Sequence, residues 1–241
     1  MRPYSEADDC ETFWGAVGFR TGTISSWFGV DLAAMTHAHQ PTLFDEDDTA
    51  TPAIDVAAFD NASDHRLDKY SWITQVPGLL TGHLRVLDEL AILDVWEQRH
   101  RWMFDRMVEE PRLTGEYVDL TAAPAFLAEL AATLGERLGV PYDRVWMNWY
   151  RDHRDGTGWH ADRPAHKAPT AIVPVLSLGA PRRFLVRPAG GGPSTVFTPA
   201  GGDLIIMQGR CQHDWQHCVP KQKAPAGPRM SLNFSSITQS G

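Results

Sequence analysis

The sequence has no long hydrophobic segment. Its longest apolar runs, such as Ala171–Leu178, cover about eight residues and are interrupted by Pro174, whereas a membrane-spanning helix needs roughly 20. The N-terminus also lacks the basic and apolar regions of a signal peptide, because the acidic Glu6 and Asp8 occupy that stretch. These absences predict a protein with no membrane partner and no secretion signal.

Cysteine is also scarce. The chain contains three, Cys10, Cys211 and Cys218, which is an odd number without any C-x-x-C spacing. A disulfide framework is therefore not expected, and the reducing cytoplasm is the predicted location. The sequence gives no sign of oligomerisation, so a monomer is expected.

The charge of the 241 residues is negative overall but unevenly distributed. Lys and Arg number 22 against 30 Asp and Glu, a net charge of −8, yet residues 1–64 alone hold 12 acidic and 2 basic side chains, a net charge of −10. From Arg144 onward, 12 bases face 5 acids, a net charge of +7. We therefore predict an acidic, partly disordered N-terminal extension and linker over residues 1–64, with Met35 as an alternative start, and one folded domain over residues 65–241.

Two helices and several short strands are predicted within that domain. Leucine spacing of three and four residues indicates helices over Gly78–Leu93 and Ala122–Leu138. Beyond Gly139, β-branched and aromatic residues between Gly and Pro indicate short strands. These are Val145–Tyr150, Ala171–Leu178, Arg183–Arg187, Thr195–Phe197, Leu204–Gln208 and Arg229–Phe234. The pattern predicts an α+β fold, a sandwich or barrel with helices packed outside.

The segment His160-Ala161-Asp162 is a candidate metal site. Residues two apart in an extended chain face the same side, so the imidazole and the carboxylate can meet. A second histidine, His217, would complete the set of two histidines and one carboxylate that binds Fe(II). His153-Arg154-Asp155 has the same spacing, and for either pair alone a surface hydrogen bond is the simpler interpretation.

Two strands carry a polar face suited to a dicarboxylate. Along Arg229–Phe234 the side chains of Arg229, Ser231 and Asn233 alternate with apolar ones, and on Val145–Tyr150 the side chains of Asn148 and Tyr150 do the same. Arginine can bind a carboxylate through two parallel hydrogen bonds. An amphipathic strand with its polar face in water is the alternative interpretation.

Taken together and in order, these motifs resemble the AlkB family of Fe(II)/2-oxoglutarate dioxygenases, from about Tyr70 to Ser236. The matching features are Asn148 and Tyr150, His160-Ala161-Asp162, Ser177-Leu178-Gly179 with Arg183-Phe184, His217 with Pro220, and Arg229. The resemblance implies a double-stranded β-helix (jelly-roll) core with buttressing helices. It also implies Fe(II) on His160, Asp162 and His217, and 2-oxoglutarate held by Asn148, Tyr150 and Arg229, with Ser231 and Asn233 on the same face.

The implied reaction is oxidative demethylation. The family uses O2 to convert 2-oxoglutarate to succinate while an N-methyl group leaves as formaldehyde, and the implied substrate is alkylated DNA of the 1-methyladenine or 3-methylcytosine type, or RNA, with the base turned out of the helix. The candidates for substrate binding are Trp102, Arg112, Tyr117, Trp159 and Arg163. Phosphate contacts are expected from the basic residues Arg151, Arg154, Arg163, Lys167, Arg182, Arg183, Arg210, Lys221 and Lys223.

Two positions depart from the family pattern. A second arginine usually follows the first by six residues, and here that position is Ser235. Arg163-Pro164 follows the metal aspartate where many members carry acids. The missing charge could come from Arg182, Arg210 or another base.

Three other functions fit parts of the sequence. The same enzyme class could act on methylated RNA or on a protein side chain. A zinc-binding module without catalysis is motivated by Cys211, His213, His217 and Cys218, four potential ligands within eight residues. Ser235 motivates a catalytically inactive binding protein.

Overall fold

The computed structural model describes residues 50–103, 105–162 and 169–236. Within these ranges the chain forms fourteen strands, three α-helices and two short 3-10 helices at Val56–Asn61 and Leu120–Ala122. The α-helices are α1 (His83–Ala91), α2 (Ala125–Leu138) and α3 (Cys211–Asp214). The strands are β1 (Ala53–Ile54), β2 (Ser63–Arg66), β3 (Ser71–Val76), β4 (Leu80–Thr81), β5 (Glu97–Met103), β6 (Arg106–Tyr117), β7 (Arg144–Tyr150), β8 (Thr157–His160), β9 (Ala171–Gly179), β10 (Phe184–Pro188), β11 (Thr195–Phe197), β12 (Leu204–Gly209), β13 (Trp215–Val219) and β14 (Arg229–Ser235).

Two antiparallel sheets form the body of the domain. The major sheet has eight strands in the order β2-β3-β12-β9-β14-β7-β6-β5, and the minor sheet has four in the order β11-β10-β13-β8. One apolar core contains residues of both sheets, among them Val175 and Ile205 from the major sheet and Phe184 and Val219 from the minor sheet. The sheets therefore face each other, and this arrangement confirms the predicted jelly-roll core.

The helices cover the outer face of the major sheet. A second core packs Leu87 of α1 and Leu130 of α2 against Leu176, Leu232 and other residues of β9 and β14. Strand β14 belongs to both layers because its side chains alternate. Met230, Leu232 and Phe234 lie in the core beneath the helices, whereas Arg229, Ser231 and Asn233 face the interior between the sheets. This alternation was predicted and is confirmed.

The predicted helix over Gly78–Leu93 is wrong in its first five residues. Gly82 has a left-handed φ of +62°, and a Cβ there would lie 2.5 Å from the Ala50 carbonyl oxygen, so the chain turns before α1 begins. Leu80–Thr81 instead pairs with Ala53–Ile54. The second helix was predicted three residues too early, because α2 begins after Pro124. In the part of the chain that the structure describes, no helix is long and apolar enough to span a membrane.

Residues 50–64 form regular structure. β1, the first 3-10 helix and the start of β2 lie in this range, and Ala58 is buried in the core beneath the helices. The predicted boundary at His65 falls inside β2, and the part of the predicted extension and linker that the structure describes, residues 50–64, is folded. The remaining predicted extension, residues 1–49, lies outside the described residues.

The long hairpin of β5 and β6 is absent from the predicted elements. It pairs with the edge of the major sheet through Leu113–Tyr117 of β6 and projects Trp102 and Met107, which face each other across the hairpin. Charged residues outnumber β-branched ones in both strands, so the composition gave little strand signal. The segment was predicted only to supply the substrate-binding candidates Trp102, Arg112 and Tyr117.

Candidate metal and dicarboxylate site

Two histidines meet across the strands of the minor sheet. His160 ends β8 and is paired directly with His217 in the middle of β13. Paired residues on adjacent strands project from the same face, and the two imidazole centroids lie 4.3 Å apart. Phe184 of β10 stacks on the His217 ring at 5.3 Å. The pairing of these strands therefore places both imidazoles at one point.

Asp162 completes the cluster just beyond β8. Its Oδ1 lies 3.6 Å from His217 Nε2 and 3.9 Å from His160 Nε2. One ligand atom from each residue lies within 4.8 Å of the others, and among the described ranges no other group of three His, Cys, Asp or Glu residues converges in this way. Histidine nitrogens and carboxylate oxygens bind metals at about 2.0–2.2 Å, so atoms this close can share one ion. The donor set suits Fe(II) and leaves positions open for other ligands.

The protonation states in the cluster favour the binding of a metal cation. The Gly158 carbonyl can only accept, so His160 Nδ1 donates to it at 2.9 Å and Nε2 keeps its lone pair for a metal. Burial and the neighbouring His217 lower the pKa of His160 to about 4, so the ring is neutral at pH 7. Burial raises the pKa of Asp162, but His217 and His160 outweigh it and hold that pKa below its usual value. The site thus presents a neutral His160 imidazole and an ionised carboxylate.

Gln212 of α3 positions the aspartate. It is buried, its Oε1 accepts from the Asp162 backbone N–H at 2.7 Å, and its Nε2 lies 3.4 Å from Asp162 Oδ2. Sequence reasoning missed Gln212. The available signal was its place directly before His213 and five residues before the predicted distal ligand His217.

A buried arginine lies between the sheets. Arg229 is paired with Tyr150 on one side and Gly179 on the other, and only 1% of its surface is exposed. Its Nη2 donates to Ser177 Oγ at 3.0 Å, while Nε and Nη1 are buried without a hydrogen-bond partner among the described residues. Burial lowers the pKa of Arg229, because the cation has no counter-charge beside it. The orphaned donors fit the carboxylate of 2-oxoglutarate.

Asn148 connects the arginine row to the neighbouring strands. Its Nδ2 donates to Ser231 Oγ at 3.1 Å, and its Oδ1 accepts from Arg112 Nε at 2.9 Å and from Trp146 Nε1 at 3.2 Å. Asn233 follows on the same face, with its Oδ1 buried and unpaired among the described residues. The five predicted cosubstrate residues therefore share one interior face.

The predicted substrate residues are dispersed. Arg112 reaches the site through Asn148 and also pairs with Glu110 at 3.0 Å. Trp102 lies near the tip of the β5–β6 hairpin with 65% of its surface exposed. Tyr117 instead packs against the core beneath the helices.

Trp159 is not brought to the metal cluster. Trp159 precedes His160 on β8, so it faces the other side of the strand, where the Arg187 guanidinium lies 4.2 Å from its ring. Arg163 lies outside the described residues, as does Lys167. Of the four candidates that the structure describes, only Arg112 is brought together with the metal and cosubstrate residues.

The predicted zinc ligands do not converge. Cys211 Sγ donates to the Trp72 carbonyl at 3.4 Å, and burial raises the pKa of its thiol to about 11. His217 and Cys218 are successive residues of β13 and therefore face opposite sides. Of the four proposed zinc ligands, only His217 belongs to the metal-binding cluster.

Comparisons with known proteins agree with this geometry. The model of the 2OG-Fe(II) oxygenase superfamily matches residues 88–235. Alpha-ketoglutarate-dependent dioxygenase alkB homolog 3 of Homo sapiens is 32% identical over 173 residues, covering 63% of this chain and 60% of that protein. DNA oxidative demethylase ALKBH2 of Homo sapiens is 33% identical over 107 residues, 41% of each chain. The chain thus spans less than two thirds of these curated relatives.

The fold is also found among solved structures. The structure of OsALKBH1 superposes with a TM-score of 0.51 at 13% identity, over 72% of this chain and 100% of that chain. This likeness concerns the arrangement of the strands and helices.

Proposed function

Because the chain belongs to the 2OG-Fe(II) oxygenase superfamily, we propose that it is an Fe(II)- and 2-oxoglutarate-dependent dioxygenase that demethylates N-alkylated bases in DNA. The family membership confirms the resemblance predicted from the sequence motifs. One observation supports the activity most strongly: a cluster of two histidines and one aspartate lies in the same interior as a buried arginine with unpaired donors. That combination suits a metal and a dicarboxylate together.

His160, Asp162 and His217 would hold the iron. Bound Fe(II), with 2-oxoglutarate and O2, supplies the oxidising chemistry by which the N-methyl carbon becomes formaldehyde and the cosubstrate becomes succinate and CO2. The protein's contribution is positional. Gly158 fixes the orientation of the His160 ring, and Gln212 fixes Asp162.

Arg229 would bind one carboxylate of 2-oxoglutarate through Nε and Nη1, the donors that lack a partner. Ser177 holds Nη2, and the ring of Tyr150 lies 5.4 Å from the guanidinium carbon, so the side chain has little freedom to turn away. Asn148 has one N–H left for the cosubstrate after its bond to Ser231. Binding would therefore supply a counter-charge to a buried cation.

The β5–β6 hairpin is the proposed nucleic-acid contact. Its exposed side chains include Trp102 and Met107 together with Arg99, Arg101 and Arg106. An exposed tryptophan can stack on a base of any sequence, and arginines can contact phosphates. The hairpin also carries Arg112, so it joins the surface to the metal site.

Several phosphate contacts predicted from the sequence are engaged elsewhere. Arg151 pairs with Asp155 at 2.7 Å, Arg154 pairs with Asp152 at 2.6 Å, and Arg182 is buried. Their charges are therefore largely neutralised within the protein. In the hairpin Arg101 pairs with Glu110 at 3.2 Å, so Arg99 and Arg106 are the favoured phosphate contacts there.

DNA is the proposed substrate in preference to RNA because one relative is named a DNA oxidative demethylase. We further propose that the protein works as a monomer in the cytoplasm, where reducing conditions suit a chain with few cysteines and a need for Fe(II).

The test compares substrates. The protein is supplied with Fe(II), 2-oxoglutarate and O2 and given 1-methyladenine or 3-methylcytosine in single-stranded DNA, duplex DNA or RNA of the same sequence. Released formaldehyde and restored base are measured by mass spectrometry. We expect turnover on DNA. Turnover on RNA alone would replace the substrate assignment, and the absence of turnover on all three would refute the demethylase proposal.

A further inference from the structure

The cosubstrate face of β14 carries one arginine, although 2-oxoglutarate carries two negative charges. Arg229 is at one end of the face, and Ser235 stands six residues later at the position where the family usually has a second arginine. The proposed Fe(II) would offset part of the charge of the second carboxylate, but a buried carboxylate also needs hydrogen-bond donors. Another basic side chain is therefore expected to serve the second carboxylate.

Two bases suggested by the sequence are committed elsewhere. Arg182 donates to the backbone carbonyls of Asp152, Asp155 and Pro220 at 2.8–2.9 Å. Arg210 forms two hydrogen bonds with the Asp214 carboxylate, at 2.6 and 2.9 Å. Neither guanidinium is free to turn toward the interior face without losing several bonds.

Arg112 is nearer but is also engaged. Its Nε donates to Asn148 Oδ1, and its Nη2 pairs with Glu110 at 3.0 Å. Glu110 is only 13% exposed and also pairs with Arg101 at 3.2 Å, so two arginines share this carboxylate. Arg112 is nevertheless held by Asn148 and Glu110, and turning it toward the Ser235 end of the face would break both contacts.

Arg144 lies directly opposite Ser235. The two residues form the last pair of β7 and β14, in the same ladder that pairs Tyr150 with Arg229 and Asn148 with Ser231. Side chains of such pairs leave the sheet on the same face, with Cβ atoms about 4.5–5.5 Å apart. Arg144 therefore projects from the interior face beside the position that Ser235 leaves without a charge.

The Arg144 guanidinium makes only a weak ion pair among the described residues. Its Nε is buried and has no hydrogen-bond partner within the described ranges. The nearest carboxylate oxygen, Asp143 Oδ1, lies 3.6 Å from Nε, which is beyond a good hydrogen bond. The Asp143 side chain is 42% exposed, so this ion pair is weak. A ligand carboxylate could take this donor at little cost.

We propose that Arg144 replaces the absent arginine of position 235 and binds the carboxylate of 2-oxoglutarate that Arg229 does not bind. The inference rests on the proposed function, because it concerns the same cosubstrate. Six residues of extended strand separate the two ends of the face by about 20 Å. Binding of one dicarboxylate by both residues would require the two long side chains to extend toward each other along the face. In this proposal the second positive charge lies on β7 instead of β14, at the position paired with Ser235.

The test is a charge swap read by binding. Protein loaded with Mn(II) without oxygen is titrated with 2-oxoglutarate by calorimetry, so catalysis is not required. R144S should weaken the dissociation constant by about 10- to 100-fold, the effect of losing one charged hydrogen-bonded pair. The double variant R144S/S235R should return to within a few-fold of the native protein. R137S removes an arginine of α2 that lies over Phe59, and it should leave binding unchanged.

The outcomes separate this inference from the proposed function. If the native protein does not bind 2-oxoglutarate, the dioxygenase proposal fails. If the native protein binds and R144S binds equally well, the role of Arg144 is refuted and the dioxygenase proposal stands. Weakened binding in R144S without recovery in the double variant would also refute the replacement, with thermal unfolding of each variant checking that its fold is intact.

Discussion

The side-chain amide of Gln212 contacts Asp162 at two points, accepting from its backbone N–H at 2.7 Å and lying 3.4 Å from its Oδ2 through Nε2. Asp162 lies past the last residue of β8, where no strand pairing holds it. Gln212 supplies that support from α3, five residues before His217. Through Gln212, α3 therefore holds the Asp162 carboxylate, just beyond β8, in line with His217 of β13.

Removal of this contact should loosen the metal. Gln212→Met keeps the volume but loses both hydrogen bonds, and contacts of this kind typically change metal affinity by about 10- to 100-fold. The dissociation constant for Mn(II) should rise by that factor in an anaerobic titration. Gln208→Met is the matched control, because Gln208 bonds to Thr74 away from the cluster. Equal Mn(II) affinity in Gln212→Met and the native protein would show that Gln212 does not position Asp162.

Arg229 should be stabilising only when the cosubstrate is bound. Without it, the buried cation bears a desolvation cost and two unpaired donors. Arg229→Met should therefore unfold at the same temperature as the ligand-free native protein or higher.

The same variant should lose the response to ligand. At about 100 times its dissociation constant, 2-oxoglutarate stabilises the native protein by about 2.7 kcal/mol. Thermal unfolding with and without 2-oxoglutarate checks both points. A ligand-dependent shift that persisted in Arg229→Met would contradict the assignment of this arginine.

Cys211 should be unreactive in the folded protein. Burial raises the pKa of its thiol to about 11 from a usual 9. At pH 8 the reactive thiolate is therefore about 100-fold rarer than for an ordinary cysteine, and alkylation should accelerate about tenfold per pH unit up to that pKa. Peptide mapping after iodoacetamide treatment measures this rate. Cys211→Ala should keep full metal binding, and loss of the metal would revive the zinc interpretation.

The folded domain should require residues before His65. A chain starting at His65 loses the buried Ala58, the packing of Ile54 and Phe59 against the core, and half of β2. We expect its free energy of unfolding to fall by at least about 2 kcal/mol, since burial of one large apolar side chain contributes that much. A chain starting at Ala50 keeps these contacts and should be more stable in urea unfolding than the chain starting at His65. Equal stability of the two shortened chains would place the domain boundary at His65 after all.

The sequence predicted the parts of the site that are local in the chain. The spacing of His160 and Asp162 and the alternation along Arg229–Phe234 both follow from the period of an extended strand, which a single segment shows. The contact of Gln212 with Asp162 and the pairing of Arg144 with Ser235 depend on strand register. Register is set by the packing of distant segments, so no local pattern revealed these partners.

The hairpin was missed for a different reason. β5 and β6 lie at the edge of the major sheet, where solvent tolerates charged residues and strand propensity is weakly expressed. Tyr117 and Trp159 are aromatic residues that were predicted to bind the substrate. Their exclusion from the site follows from which face of a strand each one occupies.

We propose that His160, Asp162 and His217 bind the iron that couples 2-oxoglutarate turnover to oxidation of a methylated base. The most direct measurement is succinate formation with Fe(II), 2-oxoglutarate and O2, with and without a methylated oligonucleotide. It compares the native chain, Asp162→Ala and the matched variant Asp60→Ala, which changes an exposed aspartate of the first 3-10 helix. We expect the oligonucleotide to stimulate succinate formation by the native chain and by Asp60→Ala. Asp162→Ala should form no succinate above background. Equal succinate from Asp162→Ala and the native chain would contradict it.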